Sequence, residues 1–132
     1  MENRDIVQQA ETVIKSLQRK DKQGKDVIYL KTNQIRKFLT AANMVANKVS
    51  IYRSKHPQEK KLSNELVDEI RYLQVKLVYQ AGRDKNAKEF IEKAGLLPMV
   101  KQIGSSIVRF EEFSRYVEAL VAYHKFYGGK DA

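Results

Sequence analysis

The chain has 132 residues, 42% of them hydrophobic, and 25 Lys and Arg stand against 16 Asp and Glu, giving a formal net charge of +9 and a pI of about 9.7. That length supports one compact domain hiding roughly two-thirds of its unfolded surface, and the lack of cysteine excludes disulfides and thiolate chemistry. No apolar run reaches the ~18 to 20 residues that cross a bilayer and the first ten residues lack a signal-peptide core, so the expectation is a soluble, cytoplasmic protein with a polyanionic partner, nucleic acid above all.

Helical spacing runs through almost the whole chain. Over residues 5–20, Ile6, Val7, Ala10, Val13, Ile14 and Leu17 recur at that spacing with charges between them, which predicts an amphipathic packing helix. Residues 21–31 hold Gly24 and the short apolar run Val27 to Leu30. No second convincing strand is at hand to pair with that run, so a loop pinned by apolar contacts is expected, with a lone strand as the alternative. Thr32 is placed to cap a long second helix through its hydroxyl. Ile35, Phe38, Leu39, Ala42, Ala46, Val49 and Tyr52 trace its buried face, and Pro57 stops it at His56. On its outer side Lys37, Lys48 and Lys55 align, either as a ridge that tracks phosphates or as an ordinary solvated face.

A third helix opens at Ser63, with Leu62 and Val67 in the positions of a hydrophobic staple. Leu66, Ile70, Leu73, Leu77 and Ala81 share its core-facing side. Tyr72, Lys76, Tyr79 and Arg83 form an alternating aromatic and basic stripe on the other. Such a stripe suits base stacking combined with phosphate neutralisation, and it equally suits a solvated face with two amphipathic tyrosines. Gly82 is read as its left-handed C-terminal stop. Asn86 and Glu89 have capping-box spacing for a short helix ending at Gly95, Pro98 sits in the first turn of the next, and Gly104-Ser105-Ser106 breaks the chain again. The last helix, over 107–127, is expected to bury Ile107, Phe110, Val117, Leu120, Val121 and His124 or their neighbours, before Gly128-Gly129 and a short polar tail. The pattern predicts an all-α protein: a compact helical bundle of about five to six helices in a single domain, 1–132.

Catalytic signals are thin. His56 and His124 lie on different segments without cysteine partners, and Glu111 with Arg115 reads as simple i, i+4 pairing. The glycines fall at helix ends and form no phosphate-cradling loop. No cofactor or metal is expected. Charge is unevenly spread: between Lys31 and Leu62 stand Lys31, Arg36, Lys37, Lys48, Arg53, Lys55, Lys60 and Lys61 against Glu59 alone.

Three blocks, Thr32-Asn33-Gln34-Ile35-Arg36-Lys37-Phe38, Leu73-Gln74-Val75-Lys76-Leu77-Val78-Tyr79-Gln80-Ala81-Gly82-Arg83 and Phe113-Ser114-Arg115-Tyr116-Val117-Glu118-Ala119-Leu120-Val121-Ala122-Tyr123-His124-Lys125, together resemble the small subunit of type III-A CRISPR effector complexes, the Csm complex. The resemblance makes 31–127 the family-like core and 1–30 a variable N-terminal helix and loop. It implies a non-catalytic helical protein present in several copies, stacked on copies of itself beside the backbone and large subunits and contacting guide RNA and target RNA independently of sequence. Carried over by position, the RNA-facing candidates are Arg36, Lys37, Lys76 and Arg83. The charge and aromatic pattern adds Lys48, Arg53, Tyr72 and Tyr79. Lys125 matches the third block and also suits a charge at a helix C-terminus.

Two other classes share part of this pattern. A helix-turn-helix DNA-binding regulator would match the charge and helix content but needs two short helices joined by a tight turn, and the join before Ser63 is longer than that. A helical phosphohydrolase would need His and Asp clusters, and the chain has two histidines.

Overall fold

The computed structural model describes residues 5–129. It contains six helices, α1 (Ile6–Ser16), α2 (Arg36–Lys55), α3 (Asn64–Arg83), α4 (Lys85–Ala94), α5 (Leu96–Ile103) and α6 (Ile107–Phe126), and a small hairpin of β1 (Gln18–Lys20) and β2 (Asp26–Ile28). The polar tail expected after Gly129 lies outside the described residues.

Two helices organise the rest. α6 packs against α1, α2 and α5, and α3 packs against α2, α4 and α5. Phe38 of α2 meets Phe113 of α6 edge to face at 6.4 Å, with Phe110 beside it. The buried Tyr116 hydroxyl donates to the Ala94 carbonyl at 2.7 Å, which fixes α6 against the end of α4 and satisfies a polar group that would be costly to bury alone. α6 therefore buries Phe113 and Tyr116 where the spacing favoured Val121, which is left 40% exposed. On α2 the buried row is Phe38, Ala42, Val45 and Val49, continued by Ile35 just ahead of the helix, with Leu39, Ala46 and Tyr52 flanking it. Packing between α3 and α6 selects this narrower stripe.

The first departure from the sequence expectation is the hairpin. α1 stops at Ser16, whose hydroxyl donates to the Val13 carbonyl at 2.6 Å while the Arg19 guanidinium donates to the Ser16 carbonyl at 2.8 Å. The next residues form a strand and no further helical turn. Asp21 then builds the turn: its Oδ1 accepts from the Gln23 and Lys25 amides, and Gly24 takes a φ of 78°. The antiparallel register sets Gln18 opposite Ile28 and Lys20 opposite Asp26, with the Lys20 and Asp26 side chains 2.8 Å apart. The Val27 to Leu30 run thus has a strand partner that is polar, and Ile28 and Leu30 reach the core.

Helix ends differ from expectation at three places. Thr32 begins a short 3-10 turn, Thr32–Gln34, and α2 starts at Arg36 behind Ile35, with no side-chain cap. Gly82 is helical and needs no left-handed conformation; α3 continues to Arg83. Asp84, and not Asn86, caps α4, with Oδ1 accepting from the Asn86 and Ala87 amides at 2.8 and 3.0 Å. Ser63 caps α3 and Gly95 ends α4 in the left-handed region, as their sequence positions suggest.

The eight residues 56–63 joining α2 to α3 are pinned across the molecule, the Leu62 amide donating to the Ser105 carbonyl at 2.7 Å and the Tyr52 hydroxyl to the Lys61 carbonyl at 3.2 Å. The tight join of helix-turn-helix type occurs instead at 104–106, between α5 and α6. α6 buries one stripe along its length, from Ile107 to His124, and leaves its other side, with Arg109, Arg115 and Glu118, exposed. At its far end the His124 ring is buried, its Nε2 donating to the Leu30 carbonyl at 2.8 Å. Tyr127 donates to Glu11 of α1 at 2.6 Å, and this bond, with burial and the Glu11 charge, raises the phenol above its ordinary pKa of 10.0.

Asp84 also accepts a bond from Gln34 Nε2 at 2.6 Å, so Asp84→Ala removes a helix cap and a tie between chain segments fifty residues apart. Urea denaturation should show a loss of about 1 to 2 kcal/mol, with Asp84→Asn retaining part of it.

A candidate nucleic-acid interface between the second and third helices

α2 and α3 run side by side and leave a groove of about 650 Å³ on their outer surface. Arg36 and Lys37 enter it from the first turn of α2, and Tyr72 and Lys76 from the middle of α3. Ala41, Met44 and Leu73 give it an apolar floor, and Asp68 and Glu69 stand on one rim. The N-terminal turn of α2 has no acidic residue, so the positive end of its backbone dipole adds to the two cations there.

The aromatic and basic stripe of α3 is preserved as a set of contacts. Lys76 Nζ lies 5.2 Å from the Tyr72 ring centre and the Arg83 guanidinium 5.8 Å from that of Tyr79, each within cation–π range. Both tyrosines remain more than half exposed. Holding the cations over the rings restricts side chains that would otherwise sweep freely through solvent, which lowers the ordering cost of meeting a phosphate.

A smaller notch of about 220 Å³ lies alongside, lined by Asn33, Gln34, Lys37, Gln80, Arg83 and Asp84. Lys37 belongs to both depressions, so groove and notch form one cationic track from Tyr72 to Arg83. Gln80, Asn33 and Asp84 line this notch without being among the candidates that the sequence pattern marks. Gln80 carried a signal: it falls on the Leu73 and Leu77 side of α3, a polar residue within an apolar stripe.

The remaining candidates separate from this track. Lys48 donates to both carboxylate oxygens of Glu69, at 3.0 and 3.1 Å. Arg53 pairs with Glu111, displacing the expected pairing of Glu111 with Arg115, and lines a different depression between α2 and α6. Lys125 stands in the last turn of α6, away from the groove. Among the described residues, Arg36, Lys37, Lys76 and Arg83 carry no carboxylate partner. Also among the described residues, no group of three or more His, Cys, Asp or Glu could hold a metal ion, and no helix is long and apolar enough to cross a membrane.

Fold and surface together define a small, basic, all-helical protein with a cation-lined outer groove. The family model described as Csm2 Type III-A matches residues 1–130. The chain is 45% identical over 128 residues to the CRISPR system Cms protein Csm2 of Streptococcus thermophilus, covering 96% of this chain and 94% of that one. It is 36% identical over 127 residues to the protein of that name from Mycobacterium tuberculosis strain ATCC 25618 / H37Rv, with coverage of 96% and 94%. The chain belongs to the Csm2 family of type III-A, as its three sequence blocks suggested.

The in-chain ion pairs should behave as exposed pairs. A double-mutant cycle on Lys48→Ala and Glu69→Ala, read by urea denaturation, should give a coupling of about 0.2 to 1 kcal/mol that shrinks as salt is added.

Proposed function

We propose that the chain is the non-catalytic small subunit of a type III-A CRISPR effector complex, and that it holds guide and target RNA along the track between α2 and α3. The observation that carries this reading is the partition of cations: those on the track have no carboxylate partner among the described residues, whereas Lys48 and Arg53 are neutralised within the chain. Four unneutralised cations, two exposed tyrosine rings and a helix N-terminus on one surface match what a ribonucleotide strand offers, a row of phosphates beside stackable bases. Phosphates carry no base identity, so this binding is independent of sequence, as a subunit serving many different guides requires. Membership of the Csm2 family supports assembly with the backbone and large subunits and with further copies of the chain along the strand. Cleavage chemistry belongs to those other subunits in this reading.

The affinity of single-stranded RNA for the assembled complex should fall with salt at about −0.7 log units per log unit for each phosphate contact. Lys76→Ala/Arg83→Ala should flatten that slope by roughly 1.4 while weakening unrelated sequences alike. Tyr79→Ala should instead cost about 1 to 3 kcal/mol with little change in slope. A folded, assembled double variant with unaltered affinity and slope would remove the α3 stripe from the interface. Purified protein incubated with Mg²⁺ or Mn²⁺ should leave RNA and DNA intact; turnover abolished by replacing Glu118 or His124 would overturn the non-catalytic assignment.

A further inference from the structure

The notch beside the groove contains an anomaly. Gln80 is only 5% exposed, yet its side-chain amide makes no hydrogen bond to the described protein. No deeply buried polar side-chain atom lacks a partner among the described residues, so the tip of this amide reaches solvent, and the space it lines is the notch. The neighbouring polar groups are differently placed. Gln34 is committed, donating to Asp84 and accepting from the Lys31 amide at 2.7 Å, and Asp84 is committed to the α4 cap. Lys37 and Arg83 flank the amide without carboxylate partners.

We propose that this notch is a ribose–phosphate subsite in which the Gln80 amide recognises an RNA 2′-hydroxyl while Lys37 and Arg83 hold the adjoining phosphates, so that the protein prefers RNA over DNA. The inference rests on the RNA-binding reading above and adds the chemical group that is recognised. Three features lead to the sugar rather than the base. Every residue lining the notch is polar or charged and none is aromatic, so it offers hydrogen-bonding groups and cations in place of an aromatic platform for a nucleobase. Its volume of about 220 Å³ lies below the range of pockets that enclose a whole small ligand. A primary amide presents one donor and one acceptor from the same tip, and the 2′-hydroxyl both donates and accepts, which makes the two groups complementary whatever the base. Because no protein group occupies the solvent-reaching tip of this amide, a ligand hydrogen bond there displaces water and breaks no bond of the fold.

The test measures binding of the full chain to one unstructured sequence made as RNA, as DNA and as 2′-O-methyl RNA, by fluorescence anisotropy at fixed salt. RNA should bind about 2- to 10-fold more tightly than DNA for each notch engaged, and 2′-O-methyl RNA should fall toward DNA because its oxygen no longer donates and carries added bulk. Gln80→Leu should bring the RNA-to-DNA ratio close to one, keep the salt slope, and not lower the urea midpoint, since it replaces an unpartnered amide by an apolar side chain of similar size. Equal binding of RNA and DNA by the unaltered chain overturns the subsite while leaving a salt-dependent RNA interface standing. A folded Gln80→Leu variant with the original preference overturns it too. Absence of any salt-dependent binding to RNA, by chain and assembled complex alike, removes the RNA-binding reading and this inference together.

Discussion

The carboxylate of Asp84 is the point on which the candidate surface depends. One oxygen accepts the first free amides of α4, which ends α3 and sets the direction of the chain beyond it. The other holds Gln34, whose side-chain Oε1 accepts from the Lys31 amide, so the 3-10 turn ahead of α2 is fastened to the far end of α3. Two helices packed by apolar contact alone can slide and rotate within the tolerance of their ridges and grooves. This polar clamp fixes their relative placement at the end where Lys37 and Arg83 stand.

Charge on this protein is arranged more than it is abundant. A net charge of +9 describes the solution behaviour of the whole chain, while the ion pairs show which cations have already met a carboxylate. Lys48 and Arg53 span neighbouring helices to Glu69 and Glu111, spending their charge on the fold's surface. Arg36 and Lys37 sit where α2 would ordinarily carry an acidic residue or a capping side chain. Their repulsion from the positive helix end is unfavourable in the free protein and is relieved by an anion.

What could be read from sequence followed the range of the forces involved. Ser63, Gly95 and the break at Gly104 act within a turn of their own positions, and their roles were legible. The apolar face of α3 was legible because one broad stripe dominates it. The hairpin was hidden because β1 is Gln-Arg-Lys, held by its register and the Asp21 turn with no alternating apolar pattern. Asp84 was missed because a cap on α4 and a bond to residue 34 look, in one dimension, like an ordinary acidic residue after a glycine and an arginine. In the candidate site, periodicity aligned the stripe on α3 but could not say which lysines find carboxylates on another helix. The notch needed α2 and α3 to be placed together before Gln80 became conspicuous.

The bare N-terminal end of α2 also bears on speed. Fields from unpaired cations and an aligned backbone dipole reach about a Debye length, roughly 8 to 10 Å at ordinary salt, well beyond hydrogen-bond range. In the proposed RNA-binding role, a polyanion diffusing past the molecule would be drawn toward Arg36 and Lys37, and turned toward them, before any atom touches. In the same proposal, short-range partners such as the tyrosine rings and the Gln80 amide would act after contact and govern departure. Capture and release would then fall to different residues on the same surface, one set reading charge from a distance and the other reading chemistry at contact.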